Sequence, residues 1–129
     1  MTEYAFEHLQ SAKVLLGYLQ AALWTNNLDG FSVSQFDVID AMRASRTIDL
    51  FLNANADDVW SMIADGHDFE QVGYDLWLTR NRHGAGFWAR ATAGDYGDEN
   101  AHYTNLTDAA HALGESDAYV GDNGTVYLT

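Results

Sequence analysis

The fold that the sequence predicts depends on residues 73–90, GYDLWLTRNRHGAGFWAR. This stretch holds two of the four tryptophans and three of the six basic residues of the chain. In a β-strand at residues 74–79, Tyr74, Leu76 and Leu78 would share one face. The other face would hold Asp75, Trp77 and Thr79, so both faces carry a large apolar side chain. Glycines at 84 and 86 then favour a turn, because glycine adopts positive φ angles at little cost. The stretch therefore predicts a β-hairpin whose return strand lies at residues 87–91.

A first helix is expected at residues 2–25, where Thr2 can cap the N-terminus. Apolar side chains recur there at three- and four-residue spacing and form one stripe, which includes Leu9, Leu16 and Leu23. The pattern predicts a helix that packs on the core. It leaves open a second interpretation, in which these leucines form a homodimer interface.

Two more helices are expected before residue 66. Ser32 and Gln35 have the spacing of a capping box, which favours a helix from about residue 34. This helix either ends near residues 45–47 or continues through residue 52. Its predicted inward side chains are Phe36, Val38, Ile39 and Met42. Asn55 can cap the third helix, which Gly66 ends. The predicted buried side chains of the third helix are Trp60, Ile63 and Ala64.

The C-terminal part of the chain returns to β-structure in this interpretation. Residues 92–103 are rich in glycine and aspartate and predict a loop, and a short helix is expected at residues 106–113. Strands are expected at residues 116–120 and 125–128, because the Asn-Gly pair between them is a strong hairpin signal.

These elements predict one α+β domain covering residues 1–129. Residues 1–66 are expected to be mainly helical, and residues 67–129 to form a β-hairpin, a helix and a second β-hairpin. The predicted architecture is three N-terminal helices followed by β-β-α-β-β, with the antiparallel sheet packed against the helices.

Charge is the most unusual property of the chain, with 19 acidic and six basic residues and a net charge of -13. Such a chain repels nucleic acids and anionic membranes and attracts basic protein surfaces. There is no cysteine, which excludes disulfides and cysteine-ligated metal sites. We therefore expect no direct nucleic-acid partner and no membrane partner.

The acidic residues fall in two blocks. Residues 47–79 hold seven acids and no base, residues 80–90 hold three arginines and no acid, and residues 91–129 again hold seven acids and no base. The arginines either pair with neighbouring acids or leave the carboxylates as an anionic surface for a partner. The predicted partner-binding residues are Asp49, Asp57, Asp58, Asp65, Asp68, Glu70, Asp75, Asp95, Asp98, Glu99, Arg82 and Trp88.

Catalytic motifs are not visible in the sequence. Four of the five histidines, at 67, 83, 102 and 111, lie in the second half of the chain and match no zinc-site spacing. Residues 95–100 are acidic but lack the twelve-residue pattern of a calcium-binding EF-hand. We therefore predict a protein that is not an enzyme and that needs no metal or cofactor. A weaker alternative is a metal-dependent enzyme that uses His83 and nearby acids.

The N-terminus carries Glu3 and Glu7 instead of a basic run, so no signal peptide is expected. The most apolar window, residues 14–24, is too short to span a membrane and contains Gln20. These features predict a cytoplasmic protein.

The motif Asp75-Leu-Trp-Leu-Thr-Arg-Asn-Arg-His-Gly-Ala-Gly-Phe-Trp-Ala-Arg90 resembles one found in small, acidic, uncharacterised phage and prophage proteins. The resemblance extends over residues 66–128 and includes the predicted C-terminal helix and hairpin. This chain has Arg82 where those proteins usually have glycine, and Ala89 where they usually have aspartate.

The resemblance implies a phage protein that acts in the cytoplasm of the host cell. Together with the charge, it predicts an acidic binding protein that inhibits a host nucleic-acid-dependent defence, as an anti-CRISPR or anti-restriction protein. Its carboxylates would mimic DNA phosphates, and its partner would be a basic nucleic-acid-binding host protein. The alternative is a small structural or regulatory module that dimerises through the first helix.

Overall fold

The computed structural model describes residues 5–91 and 101–129. Within these residues the chain forms six α-helices and one two-stranded antiparallel sheet. The helices are α1 (His8–Thr25), α2 (Val38–Ala54), α3 (Ala56–Ala64), α4 (Phe69–Arg80), α5 (Phe87–Ala91) and α6 (Ala101–Ala112). A short 3-10 helix covers Val33–Gln35, and the strands are β1 (Ala118–Val120) and β2 (Val126–Leu128). The predicted α+β fold with β-β-α-β-β order is therefore wrong, because the described fold is mainly helical with a single hairpin.

Helices α1 and α4 form the central pair of the fold. Gly17 and Gly73 lie where the two helices cross. A Cβ atom on Gly73 would overlap the carbonyl oxygen of Val14 and would lie 2.8 Å from the backbone nitrogen of Tyr18. A Cβ atom on Gly17 would overlap the carbonyl oxygen of Glu70. The two helix backbones therefore touch directly, which only glycine at these positions permits.

Residues 74–79, which we expected to form a strand, belong to α4. Five consecutive residues of this helix are buried, from Asp75 to Thr79. Helices α1, α3, α5 and α6 all pack against α4, so neighbours surround it. A helix buried all round lacks the apolar stripe by which amphipathic helices are recognised.

Helix α4 begins at Phe69, before the start of the expected strand. Asp68 caps α4, and its Oδ1 accepts a hydrogen bond of 2.8 Å from the backbone nitrogen of Gln71. The expected return strand at residues 87–91 is helix α5. The turn before it uses positive φ angles at Arg82 (58°) and Gly86 (84°).

Helix α1 is confirmed, but its buried face differs from the predicted stripe. Glu7 and Gln10 form a capping box at its start, and Thr2 lies outside the described residues. Leu23 is buried, whereas Leu9 is 64% exposed. The stripe therefore turns away from the core at the N-terminal end of α1.

Helix α2 extends to Ala54, past both predicted ends. The side that it turns to the core is not the predicted one. The capping box of Ser32 and Gln35 exists but begins the 3-10 helix, while Asp37 caps α2. The prediction that Val38, Ile39 and Met42 face the core is wrong. They are exposed, and the buried residues of α2 are Ala44, Ile48, Phe51 and Leu52.

Helix α3 buries Val59 and Met62, while the predicted core residue Trp60 is 38% exposed and stacks on Phe6 at 5.1 Å. Gly66, at a φ of 105°, follows the helix as predicted. Helix α6 starts at residue 101, within the predicted loop, and this start brings polar side chains against α3.

The predicted C-terminal hairpin is confirmed. Tyr119 of β1 pairs with Tyr127 of β2, and Gly124 has a φ of 79° in the turn. Asp40 of α2 accepts a hydrogen bond of 2.9 Å from the backbone nitrogen of Leu128, so the hairpin is fastened to α2. Across the described ranges, none of the helices has the length and apolarity needed to cross a membrane.

Candidate functional site: an acidic edge at helices α3 and α6

Four carboxylates follow one another along α3 and the turn into α4, and we name them the acidic edge: Asp57, Asp58, Asp65 and Asp68. Asp57 and Asp58 lie in the first turn of α3, where negative charge interacts favourably with the helix dipole. Asp65 is the C-cap of α3, and Asp68 is the N-cap of α4. Helix-start preferences thus account for Asp57, Asp58 and Asp68, but not for Asp65, which lies at a helix C-terminus.

Asp65 is held in place by two side chains of α6. Its Oδ2 accepts a hydrogen bond of 2.7 Å from the hydroxyl of Tyr103 and lies 2.8 Å from Nε2 of His102. The hydrogen bond from Tyr103 lowers the pKa of Asp65. Because the folded pKa is lowered, the contribution to stability is present above about pH 4 and is lost as the pH falls through the folded pKa. The carboxylate is therefore ionised at neutral pH.

Two further carboxylates of the edge also accept hydrogen bonds. Asn105 of α6 donates to Oδ1 of Asp58 over 3.4 Å, and Asp68 accepts from Gln71 as the cap of α4. Residues 102 and 105 lie three apart on α6 and therefore share the face that packs on α3. Three of the four carboxylates are thus oriented by neighbouring groups instead of rotating freely.

The spacing of the edge is comparable with that of a nucleic-acid strand. Asp57 and Asp65 are eight residues apart along α3, which corresponds to about 12 Å of helix axis. One strand of B-DNA carries a phosphate for about every 3.4 Å of axis, or about four over this length. Asp57, Asp58 and Asp65 lie within this length, so three carboxylates correspond to about four phosphates of one strand.

A buried ionic network lies beside the edge. Oδ2 of Asp75 accepts a hydrogen bond of 2.6 Å from Nε of Arg90, and its Oδ1 accepts one of 2.6 Å from Nε2 of Gln71. Nη1 of Arg90 lies 3.3 Å from Nε2 of His67. Asp75, one of the predicted partner-binding residues, is only 1% exposed. The structure therefore places it inside the protein, joining α4 to α5.

The titrating groups around this network have shifted pKa values. Burial lowers the pKa of His67, and the nearby charge of Arg90 lowers it further. Burial raises the pKa of Tyr103, as does its hydrogen bond to Asp65. His67 is therefore neutral and Tyr103 is protonated at neutral pH.

Acidification should destabilise the protein partly through His67. Between its lowered folded pKa and the ordinary value of about 6.5, His67 binds a proton in the unfolded chain but not in the folded protein. The free energy of unfolding therefore falls as the pH drops from about 7 toward the folded pKa of His67. As the pH is lowered, the urea unfolding midpoint should fall less steeply for His67→Gln than for His8→Gln, which replaces an exposed histidine. Equal slopes in the two variants would contradict this assignment.

Arg82 and Trp88 are the two non-acidic residues of the predicted interface, and they lie apart from the acidic edge. They line an open groove of about 200 Å³ together with His83, Gly84 and His111. Trp88 is 46% exposed. This groove gives the molecule a second surface of opposite character, aromatic and basic.

The remaining predicted site residues are dispersed. Asp49 is half-buried on α2, and Glu70 is half-buried in the first turn of α4. Asp95, Asp98 and Glu99 lie outside the described residues. Of the twelve predicted residues, four thus follow one another along α3 and its turn into α4, and two line the groove.

The histidines are distributed over separate surroundings. His102 contacts Asp65, His67 contacts Arg90, and His83 and His111 line the groove. In residues 5–91 and 101–129 no group of three or more histidine and acidic side chains is arranged to hold a metal ion.

Sequence reasoning missed His102, Tyr103 and Asn105, which orient the carboxylates. Their three-residue spacing could have indicated the first and last of them, because residues 102 and 105 share a face in a helix that begins at residue 101. Comparison with family models, with curated proteins and with solved structures finds no match to this chain.

Proposed function

We propose that this is a phage-encoded acidic protein that binds a basic nucleic-acid-binding protein of the host and so blocks a defence system such as restriction or CRISPR. The observation that carries the proposal is the acidic edge, where hydrogen bonds orient three of four carboxylates. Fixed anions lose less conformational entropy on binding than freely rotating ones do, so their orientation favours affinity. The phage origin rests on the sequence resemblance.

Charge supports binding to a basic protein in preference to a nucleic acid. The chain carries a net charge of -13, and no basic residue occurs between residues 47 and 79. Such a field steers a basic partner toward the edge and speeds association, and salt weakens the effect. The groove at Arg82 and Trp88 offers the residue types that are enriched among interface hot spots.

The proposal predicts that defence inhibition depends on the position of the carboxylates and not on net charge alone. Asp57→Asn, Asp65→Asn and Asp68→Asn together remove three charges, and Asn caps a helix about as well as Asp does. Asp29→Asn, Asp117→Asn and Asp122→Asn remove the same charge from exposed positions elsewhere.

The measurement is phage plating efficiency on hosts with one defined restriction or CRISPR system each, expressing either variant. We expect the wild type and the control triple variant to restore plating in at least one host. The edge variant should lose at least about tenfold of that effect, which corresponds to about 1.4 kcal/mol of binding. Equal activity of the two triple variants, or protection by neither the wild type nor the control in any host, would refute the proposal.

A further inference from the structure

Helix α2 presents an apolar face to solvent, which we name the α2 outer face: Val38, Ile39, Met42, Arg46 and Leu50. Its four apolar side chains are 61–69% exposed. Residues 39, 42, 46 and 50 recur at three- and four-residue spacing, so they form one continuous stripe. The opposite side of α2 packs on the core, so the helix is apolar on both sides. A helix on the surface of a monomer normally carries polar side chains on its solvent side.

The charge of this face is unlike that of the rest of the chain. Arg43, with a side chain 66% exposed, adjoins the stripe, and Arg46 lies within it. The carboxylate of Asp40 is turned inward, where it accepts from the backbone of Leu128 and its side chain is 11% exposed. A second copy turned antiparallel can therefore meet these arginines with Asp49, a half-buried carboxylate of the same helix.

We propose that the protein forms a homodimer in which two α2 outer faces pack antiparallel about a two-fold axis near Arg46. With this axis, Met42 fits the space between residues 46, 49, 50 and 53 of the second copy, and Leu50 fits between residues 39, 42, 43 and 46. These are knob-and-hole positions of packed helices. Arg46 comes within reach of the partner's Asp49, and the two-fold axis repeats this pair. The two Arg46 side chains adjoin at the axis, and the two Arg46–Asp49 pairs offset their repulsion.

The size of the face indicates a weak dimer. A helix of 17 residues is about 25 Å long. Contact along one such helix covers less than the roughly 800 Å² per partner of a standard interface. The net charge of each copy also opposes association, and about 0.15 M salt screens this repulsion beyond about 8 Å. We expect a dimer that forms in the micromolar range. This inference is independent of the acidic edge, which lies on other helices.

Sedimentation velocity of the full chain tests the dimer across a range of concentrations. The wild type should shift from monomer to dimer, and Met42→Glu should weaken dimerisation at least about tenfold. Leu9→Glu is the matched control, because Leu9 is equally exposed, at 64%, but lies on α1. It should leave dimerisation unchanged. A wild type that stays monomeric at all concentrations, or dimerisation lost in Leu9→Glu and kept in Met42→Glu, would overturn the proposal.

Cross-linking tests the position of the two-fold axis. The chain has no cysteine, so Arg46→Cys introduces a single thiol. Under mild oxidation this variant should form disulfide-linked dimers several-fold faster than Lys13→Cys, which places a thiol on exposed α1. Equal rates for the two variants would overturn the proposed arrangement. Circular dichroism should show unchanged helicity in both, since both positions are exposed.

Discussion

Gly73→Ala should destabilise the protein by about 3 kcal/mol, which is the upper range for overpacking a closely packed site. In an ordinary helix the same change stabilises by up to about 1 kcal/mol, because alanine has the higher helix propensity. Here the new methyl group would overlap the carbonyl oxygen of Val14 and force α1 and α4 apart. The sign of the effect therefore reports whether the two backbones touch. Thermal unfolding should show a melting temperature lower by about 10 °C.

Two further variants isolate this cause. Gly30→Ala is the control, because no atom lies within 4 Å of its added Cβ, and its stability should be unchanged within about 0.5 kcal/mol. Gly17→Ala should resemble Gly73→Ala. The variant that combines Gly17→Ala with Gly73→Ala should lose less stability than the sum of the two single losses. Once one methyl group has separated the helices, the second fits with less strain. A Gly73→Ala variant as stable as the wild type would show that α1 and α4 do not cross as described.

Arg90→Met should cost about 3 kcal/mol of stability, because it leaves the carboxylate of Asp75 without its cation. The side chain of Asp75 is 2% exposed, so water cannot replace the lost guanidinium. The hydrogen bond from Gln71 remains but does not neutralise the charge. Urea unfolding measures the loss directly, as a lower midpoint with an unchanged slope.

The matched control is Arg43→Met, which removes a similar ion pair from an exposed position. Arg43 lies 3.4 Å from Asp40, and its side chain is 66% exposed, so the change should cost at most about 1 kcal/mol. Adding Asp75→Leu to Arg90→Met should recover part of the stability, because the uncompensated charge is then gone. Equal effects of Arg90→Met and Arg43→Met would contradict a buried pair.

The sequence could not identify α4 because periodicity fails for a helix that is buried on every side. Leu76 and Leu78 follow a two-residue alternation by chance, and Trp77 between them is buried too. The better signal was Asp68 followed by Gln71, the spacing at which a side chain caps a helix. Gly73 precedes the predicted strand, and a single sequence does not distinguish a glycine at a helix crossing from a glycine in a loop.

Helix α2 shows a different limit of prediction. It carries one apolar stripe with Ile39 and Met42 and another with Ile48 and Phe51, and local pattern alone does not decide which faces inward. The long-range bond from Leu128 to Asp40 helps to fix the rotation of the helix. The C-terminal hairpin, by contrast, was predictable because its Asn-Gly turn is encoded locally.

The acidic edge could be predicted in part. The sequence shows that Asp57, Asp58, Asp65 and Asp68 occur without nearby bases, and helix-start preferences explain three of them. It does not show that α6 supplies Tyr103 and other donors, because those contacts join residues 37 to 47 positions apart. It also does not show that Asp75 is internal, since its partner Arg90 approaches only when α5 folds back on α4.

The most direct test of the central claim is retention of basic nucleic-acid-binding host proteins on the immobilised protein, measured at about 50 mM and about 500 mM salt. The probe is a lysate fraction eluted from DNA, compared on the wild type, the edge triple variant and the control triple variant. We expect a protein that the wild type and the control retain at low salt, that high salt releases, and that the edge variant does not retain. Retention by all three alike, or retention that high salt does not reduce, would contradict the role of the acidic edge.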